Sequence, residues 1–396
     1  MRVLQITGYM SGAQKIITEA VHRKIIAENS KSMILYARGH SSEINAVRYE
    51  SKLANFLTRG LRKYVCKHPC FSALQTFSLI RRIRQFRPDI VHLHVLHGGN
   101  MDYVMLLRFL AKTDIPIVYT MHDMWAFTGG CYHYSSLGCE KYKEKCTCCP
   151  ANKRMLDIEN KYIEKSFTTK QALFSKLFAL HLVTVSQWVM QEVQNSFLAD
   201  YPITVIPNGI EMNIANPGQH SEQHVKTQIL SVAASWTEQK GIHLLFELAN
   251  KLGPEYSIHL IGTASESVRK MAPANVVFLG FCSDRKKLFS YYREADLYVS
   301  ASREETFGMT FVEAALMGTR SVGYAGTAIC ETLDSVYGVT VDEYSAEVYA
   351  DAISKLMFHH QNKLSDNQVA AIQDTYSVNR MAKDYYELYK TVLKKE

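Results

Sequence analysis

Short apolar runs alternate with helically spaced apolar positions along the first half of the chain. The helical spacing is clear in residues 12–28, whose apolar side chains include Ile16, Ala20, Val21 and Ile25. The predicted strands cover residues 3–7, 32–36, 90–95, 116–121, 182–186 and 203–206. Strands that alternate with helices indicate βα units, which assemble into a parallel sheet.

The alternation breaks once, near the middle of the chain. Pro207-Asn208-Gly209 interrupts it, and residues 211–226 are polar, as expected of an interdomain linker. The strands predicted after this break cover residues 228–234, 256–261, 276–279, 296–300 and 320–324. We therefore expect an α/β protein with two Rossmann-like domains facing each other across a cleft, with ligands at the carboxyl ends of the strands.

Composition narrows the class of protein. The chain has 396 residues and a formal charge of +7, which suits two globular domains and is too diffuse to indicate nucleic-acid binding. The amino terminus lacks a signal-peptide pattern, and no stretch approaches the ~20 apolar residues of a spanning helix. We expect a cytoplasmic protein whose nine cysteines are thiols or metal ligands rather than disulfides.

Residues 300–318 carry the most informative motif. A strand is expected to lead into a loop with Glu305 and Gly308, and then into a helix that Gly318 ends. The start of a helix offers backbone N–H groups and a positive dipole end to a phosphate. Carboxylates such as Glu305 and Glu313 accept hydrogen bonds from vicinal sugar hydroxyls. Two acids alone would more simply be solvated, but the adjoining Phe-Gly and the strand–loop–helix order favour a ligand site.

This motif resembles the signature of retaining glycosyltransferases with the GT-B fold, of the family-4 type. That signature is a glutamate, seven residues and a second glutamate, with Phe-Gly after the first. The matching positions are Glu305, Phe307, Gly308, Glu313 and Ala314. The resemblance implies that Glu305 and the Phe307-Gly308 backbone hold the donor sugar, and that Glu313 holds the ribose.

Further motifs resemble a branch of that family associated with exopolysaccharide assembly, the colanic-acid type. Its His-Leu-His segment matches residues 92–94, and its Thr-x-His-Asp-x-Trp-Ala-Phe-Thr-Gly string matches residues 120–129. The resemblance covers nearly the whole chain. It implies retaining transfer of a hexose-type sugar from a nucleotide-diphosphate sugar to a glycan or polyprenyl-linked acceptor in exopolysaccharide or cell-surface polysaccharide biosynthesis, with no cofactor or metal required for catalysis.

The resemblance also assigns the domains. Residues 1–206 would bind the acceptor, residues 207–370 would bind the nucleotide sugar, and residues 371–396 would form a helix that crosses back to the first domain. In the usual account of this fold, the acceptor attacks on the face from which the phosphate departs. No clear protein nucleophile takes part in that account.

Lys240-Gly241 follows a predicted strand and opens a helix. In the family, a basic residue here neutralises the leaving diphosphate, and a fixed cation at developing charge lowers the barrier. An arginine usually stands five residues earlier, where this chain has Ser235. Our candidates for the second cation are Arg303 and Lys286.

Two residues of the first domain are candidates by position. His122 follows a predicted strand, where the family has an important histidine near donor sugar and acceptor, and Asp123 could orient its ring. We expect a catalytic part for His122, though not as a conventional base; a buried structural histidine is the alternative. Gly12 lies where the family places a loop against the donor phosphates, although an ordinary strand-to-helix turn would explain it equally well.

Five cysteines fall within nineteen residues. Our candidates for metal ligands are Cys131, Cys139, Cys146 and Cys149, with Cys148 and His133 between them. Zinc prefers four soft ligands held tetrahedrally. The spacing is irregular for a zinc finger, so a structural zinc and free or redox-active thiols are both open. We expect no metal at His92, His94 and His97, because no partner carboxylate is evident.

The stretch of residues 55–87 is basic and amphipathic. It carries eight arginines and lysines and no acidic residue, with apolar and aromatic side chains between them. Basic amphipathic helices lie in membrane interfaces, where each basic residue contributes about 1 kcal/mol. The stretch predicts docking on an anionic membrane surface, at the inner face of the cell membrane; ordinary surface helices are the alternative.

Two other functions compete with transfer. A nucleotide-sugar epimerase of the same fold would release free sugar and need no acceptor. A non-catalytic donor-binding subunit, which the missing arginine at Ser235 leaves open, would bind the nucleotide sugar without turning it over.

Overall fold

The computed structural model describes residues 1–49, 73–98, 101–150, 160–212, 225–333, 337–359 and 363–394. The chain divides into two compact units. The first unit contains Met1–Gly209 and Val378–Glu396, and the second contains Ile210–Ser377. Each unit is built on one parallel sheet with helices, which confirms the expected pair of Rossmann-like domains. Residues 55–72 of the basic stretch and residues 213–224 of the predicted linker lie outside the described residues.

The first unit has a seven-stranded sheet. Its strands are β1 (Arg2–Met10), β2 (Lys31–Gly39), β3 (Ala46–Arg48), β4 (Ile90–Leu93), β5 (Ile117–Met121), β6 (Leu180–Thr184) and β7 (Ile203–Val205). The helices up to β7 are α1 (Gly12–Ala27), α2 (Ala73–Phe86), α3 (Tyr103–Leu110), α4 (Asn160–Phe174) and α5 (Gln187–Gln194). The strands are ordered β3-β2-β1-β4-β5-β6-β7, all parallel.

The second unit has a six-stranded sheet. Its strands are β8 (Thr227–Ser235), β9 (Tyr256–Thr263), β10 (Val276–Gly280), β11 (Leu297–Ser300), β12 (Ser321–Tyr324) and β13 (Gly338–Val341). Its helices are α6 (Ile242–Leu252), α7 (Glu266–Lys270), α8 (Arg285–Glu294), α9 (Met309–Leu316), α10 (Ile329–Thr332), α11 (Ala346–Phe358) and α12 (Asp366–Tyr376). The strands are ordered β10-β9-β8-β11-β12-β13, again all parallel.

The last helix, α13 (Val378–Lys394), belongs to the first unit. Its buried side chains, among them Tyr385 and Tyr389, join the core formed by α1 and the sheet. The guanidinium of Arg380 also donates to Pro207 O at 2.9 Å. These contacts place the division after Gly209 and after residue 377, whereas the sequence suggested residues 206 and 370, because α12 packs on α9 and stays with the second unit.

In each sheet the strand order reverses beside the first strand. The reversal lies between β1 and β4 in the first unit, and between β8 and β11 in the second. At such a switch point the loops leaving two neighbouring strands diverge to opposite faces and open a crevice that binds ligands. The loop after β8 contains Lys240, and the loop after β11 contains Glu305.

Helix lengths bear on membrane crossing. None of the described helices is both long enough and apolar enough to span a bilayer.

Candidate active site

The loops that leave β8 and β11 bring Lys240 and Glu305 together. Lys240 Nζ donates to Glu305 Oε1 at 2.6 Å, and Ser302 Oγ lies 3.4 Å from the same nitrogen. Both charged side chains are partly exposed, Lys240 at 34% and Glu305 at 24%. A cation and a carboxylate that pair within reach of solvent are able to exchange partners when a charged ligand arrives.

The Lys240–Glu305 pair is positioned by two backbone segments that approach each other closely. Gly241 has a φ of +71°, and a Cβ there would lie 2.1 Å from Ala301 O, so the position requires glycine. Tyr344 OH donates to the same carbonyl at 2.7 Å. The Lys240 loop is thereby pressed against the start of the loop that carries Glu305.

The start of α9 completes this side of the crevice. Gly308 caps the helix with a φ of +83° and offers no side-chain acceptor to the first N–H groups, so the positive end of the helix suits an anion. Phe307 is buried, and its ring packs edge-on against Tyr376 at 5.8 Å between centroids. Any contact between Phe307 and a ligand would therefore come from its backbone.

Glu313, one turn into α9, is already engaged. Arg285 Nη2 lies 3.2 Å from one carboxylate oxygen, and Tyr292 OH donates to the other at 3.1 Å. Burial raises the pKa of Glu313, and the charge of Arg285 opposes that rise. A ribose would have to share this carboxylate with Arg285.

Arg285 is the cation that the sequence failed to indicate. It opens α8, next to the suggested Lys286, and its buried Nε has no hydrogen-bond partner within the described ranges. Arg303, the other suggestion, stacks over the ring of Tyr344 at 4.2 Å instead. The buried indole N–H of Trp236, just after β8, likewise lacks a partner among described residues.

In the first unit, His122 belongs to a chain of hydrogen-bonded side chains beside the β1–β4 switch point. His122 Nε2 lies 3.1 Å from His94 Nδ1, and His94 Nε2 lies 3.2 Å from Gln5 Oε1. Gln5 Nε2 in turn donates to Thr18 O at 3.1 Å. The chain joins β1, α1, the segment after β4 and the segment after β5.

These contacts fix where the protons sit. Thr18 O can only accept, so the Gln5 amide nitrogen must face it and the Gln5 oxygen must face His94. Burial lowers the pKa of His94 far below its usual value, so neutral His94 carries its proton on Nε2 and accepts at Nδ1. His122 therefore donates from Nε2. Desolvation lowers the pKa of His122 to about 4, so this ring is neutral at neutral pH.

Asp123, which was expected to orient the His122 ring, contacts other groups as well. Its Oδ2 accepts from His97 Nε2 at 2.7 Å, and its Oδ1 accepts the backbone N–H of Trp125 at 2.9 Å. Although burial opposes ionisation, the His97 contact leaves the pKa of Asp123 below its usual value. The charge of Asp123 opposes the fall of the pKa of His122, and its part in orienting that ring stays a prediction.

Gly12 opens α1 at the end of β1. Its φ is +56°, and a Cβ there would meet nothing within 4 Å, so the space before the helix is open. Ser11 makes no side-chain cap. The open, uncapped start of a 16-residue helix is compatible with an anion, and an ordinary turn would look the same.

The four predicted cysteines all line one small cavity in the first unit, of about 20 Å³. Burial raises the pKa of Cys131 to about 12 and that of Cys146 to about 11. Without a metal, both are therefore protonated thiols at neutral pH. Within the described part of the chain, no group of three or more histidine, cysteine or acidic side chains is already arranged to hold a metal ion.

Two family descriptions match consecutive parts of the chain. "Glycosyltransferase Family 4" matches residues 35–213, and "Glycosyl transferases group 1" matches residues 215–372. The first match includes His122, and the second includes Lys240 and the whole Glu305–Glu313 motif. The chain belongs to the glycosyltransferases of group 1, family 4. Its fold is the GT-B fold of that family.

One relative comes from a polysaccharide pathway. The colanic acid biosynthesis glycosyl transferase WcaC of Escherichia coli is 27% identical over 269 residues, which are 65% of this chain and 64% of WcaC. The similarity thus spans slightly less than two thirds of the length of that relative.

Solved structures share the fold along the whole chain. Sucrose-phosphate synthase from Thermosynechococcus elongatus superposes with a TM-score of 0.76 at 14% identity, covering 100% of both chains. HepE from Anabaena, in complex with UDP and glucose, gives a TM-score of 0.63 at 15% identity, covering 99% of this chain and 100% of HepE. At such identities the likeness is one of fold.

Proposed function

We propose that this glycosyltransferase moves a hexose-type sugar, with retention at the anomeric carbon, from a nucleotide-diphosphate sugar to a glycan or lipid-linked acceptor. The observation that carries the proposal is the Lys240–Glu305 pair at the β8–β11 switch point, beside the uncapped start of α9. A cation, a carboxylate and a helix amino terminus are the groups that a sugar diphosphate needs.

In this account the pair opens when the donor binds. Lys240 exchanges Glu305 for the diphosphate, and the freed carboxylate accepts from sugar hydroxyls. As the bond to the anomeric carbon breaks, negative charge grows on the departing phosphate, where Lys240 and the start of α9 stabilise it. Arg285 supplies the second cation that Ser235 does not. No metal ion is assigned a part in this step.

The nucleoside is assigned to the other end of the motif. Glu313 accepts from the ribose while Arg285 keeps it charged. The neighbour HepE was solved with UDP and glucose, which supports a nucleotide-sugar donor as a class. In the first unit, the neutral His122 stays our candidate for a catalytic part.

The relative WcaC suggests a pathway. Its name places it in colanic acid biosynthesis, and we infer exopolysaccharide or cell-surface polysaccharide biosynthesis for this chain by similarity. Repeat units of such polymers are commonly built on a membrane lipid carrier. We accordingly propose a cytoplasmic enzyme that works at the inner face of the cell membrane.

Helix α2 supports membrane docking. Its outward stripe begins with Leu74 and Phe77, which are 75% and 60% exposed, and continues with the exposed Arg81 and Arg84. No acidic residue lies in Ala73–Phe86. Apolar side chains that precede a row of arginines match the boundary between acyl chains and anionic headgroups.

The test is turnover of a panel of UDP-, GDP-, ADP- and dTDP-hexoses in the presence of membranes or oligosaccharides. We expect nucleoside diphosphate to appear together with a glycosylated product whose anomeric configuration, read by NMR, equals that of the donor. Free sugar released without an acceptor would favour an epimerase, and binding without turnover would favour a donor-binding subunit. An inverted product would refute retention.

A further inference from the structure

We propose that Cys131, Cys139, Cys146 and Cys149 bind one structural zinc ion, with the buried Lys170 balancing part of the charge of its thiolates. These four are the cavity-lining cysteines. Cys148, in the same segment, is exposed and does not line the cavity.

The fold gathers the four side chains from separate turns. Cys131 follows the 3₁₀ turn Trp125–Phe127, Cys139 follows the turn Ser135–Leu137, and the last two cysteines follow the turn Lys141–Lys143. Their cavity of about 20 Å³ has room for roughly one water-sized particle. Four convergent sulfurs around such a space match the ligand set of a closed zinc site.

A backbone N–H donates a hydrogen bond to one of the cavity-lining cysteines. Gly129 N donates to Cys146 Sγ at 3.2 Å. A Cβ on Gly129 would lie 2.4 Å from the Ile163 side chain and 3.1 Å from Cys146 Cβ, so the residue must be glycine for the backbone to come this close. Hydrogen bonds of this kind orient metal ligands from the surrounding shell.

Lys170 is a buried amine close to the cluster. It is fully buried on α4, where Nζ donates to Trp125 O at 2.6 Å and lies 4.1 Å from the centre of the Trp125 ring. Among the described residues, no carboxylate lies within ion-pair distance of it. Burial lowers the pKa of Lys170 to about 7, and negative charge on Cys146, Asp123 or Cys131 would oppose that fall. Thiolates held by a zinc ion would therefore favour the charged form of this amine.

Closing the site would require the cysteine side chains to turn toward the metal. The described side chains are not yet arranged around a metal, and cysteine sulfurs move by rotation about χ1 without a change of backbone. Binding would release the thiol protons and cross-link a segment made of short 3₁₀ turns. Because this segment follows the turn that carries Trp125, the zinc would brace the loop after His122.

Elemental analysis of the full chain, purified without chelator, tests the proposal. We expect about one zinc per chain in the wild type and in the matched control Cys148→Ser, and loss of most zinc in Cys149→Ser. In a chelator competition, Lys170→Met should bind zinc about 10–100-fold more weakly, as outer-shell changes do. Equal zinc in the two serine variants would overturn the assignment.

A second measurement covers variants that fail to fold. The wild-type protein is loaded with cobalt and titrated with a thiol reagent, before and after removal of the metal. We expect the absorption of a tetrahedral cobalt thiolate and four thiols that react only in the metal-free protein. Reactive thiols without any metal, or oxidised pairs of these cysteines, would refute the site. Neither result depends on sugar transfer.

Discussion

At the residue scale, two ion pairs order the donor side of the second unit. Lys240 pairs with Glu305 where solvent reaches both, whereas Arg285 pairs with Glu313 where Glu313 is buried. The first pair is suited to open on ligand binding, and the second is suited to stay closed. Substitutions of the two glutamates of the motif should therefore have different effects on ligand binding.

We expect Glu313→Gln to weaken binding of free nucleoside diphosphate about tenfold, because a hydrogen bond to a charged group is worth roughly 1.5–3 kcal/mol. Glu305→Gln should instead weaken binding of the nucleotide sugar by a similar factor. It should not weaken binding of the free nucleotide, because Lys240 then has no carboxylate to leave. Calorimetry with both ligands measures this, and thermal unfolding shows whether each variant is folded. Equal losses for both ligands in both variants would contradict the division of roles.

Gln5 should act as a positioning residue for His122. Gln5→Met removes the acceptor that holds the proton of His94 on Nε2, so the His122 tautomer is no longer specified. We expect turnover to fall about tenfold, with less change in KM for the donor. The matched control is Gln14→Met, since Gln14 also bonds Thr18, through its hydroxyl, but stands outside the histidine chain. Equal rates in the two variants would remove this role from Gln5.

Individual site residues could be predicted only where they lie in a local sequence motif. Glu305, Gly308 and Lys240 could be picked out because strand, loop and helix follow each other in sequence. Arg285 and Gln5 could not, since each acts on a partner that only the fold brings near it. The contact between Asp123 and His97 was missed for the same reason.

At the scale of elements, buried histidines tie α13 to the sheet of the first unit. His92 Nδ1 lies 2.6 Å from Tyr389 OH, and His92 Nε2 lies 2.8 Å from Thr120 Oγ1. Burial lowers the pKa of His92 and His94 well below the usual value. In the unfolded chain the same rings take up protons near pH 6.5.

Stability should therefore decrease in acid. Above pH 6.5 both rings are neutral in the folded and in the unfolded chain, so they do not lower the free energy of unfolding. Below pH 6.5 the unfolded chain binds more protons than the folded chain. By pH 5.5, each ring that stays neutral in the folded chain therefore lowers the free energy of unfolding by about 1.4 kcal/mol. Urea unfolding at pH 7.5 and 5.5 measures the loss, which His92→Gln should reduce and the exposed control His359→Gln should not. A free energy of unfolding that stays constant over this range would contradict the assignment.

Helix α2 makes a prediction of its own. The variant Arg81→Gln/Arg84→Gln should bind anionic vesicles about 30-fold more weakly, at roughly 1 kcal/mol per arginine. The control Lys270→Gln/Lys355→Gln removes the same charge from the second unit and should bind as the wild type does. Flotation at low and high salt measures both. Equal flotation of the two variants would show that α2 is an ordinary surface helix.

Most strands could be predicted because buried parallel strands are continuous apolar runs. The two that were missed, β3 and β13, have three and four residues and lie at sheet edges. The apolar run in each is too brief to stand out from the loops beside it, whereas β7, which is also short and at an edge, was predicted from residues 203–206. The helix that follows Gly308 and ends before Gly318 was predicted correctly, since glycines mark both ends.

At the scale of the whole molecule, the two sheets have the same kind of strand order. In both, the order reverses beside the first strand. Lys240 and Glu305 follow the strands at the reversal of the second sheet, whereas in the first sheet Gly12 follows β1 and His122 follows β5. The alternation of strands and helices was enough to predict this fold. The return of α13 to the first unit came only from the family resemblance, and the place where α12 stops depends on packing against α9.

The proposed function depends above all on Lys240, which is expected to stabilise the departing nucleoside diphosphate. Single-turnover release of nucleoside diphosphate is compared between Lys240→Ala and Lys251→Ala, a control lysine of the same unit that also pairs with a glutamate. We expect the first variant to be about 10²-fold slower than the wild type, the cost of removing one charge-stabilising group, and the control to be unchanged. Equal rates for both variants, with the donor still bound, would contradict the account.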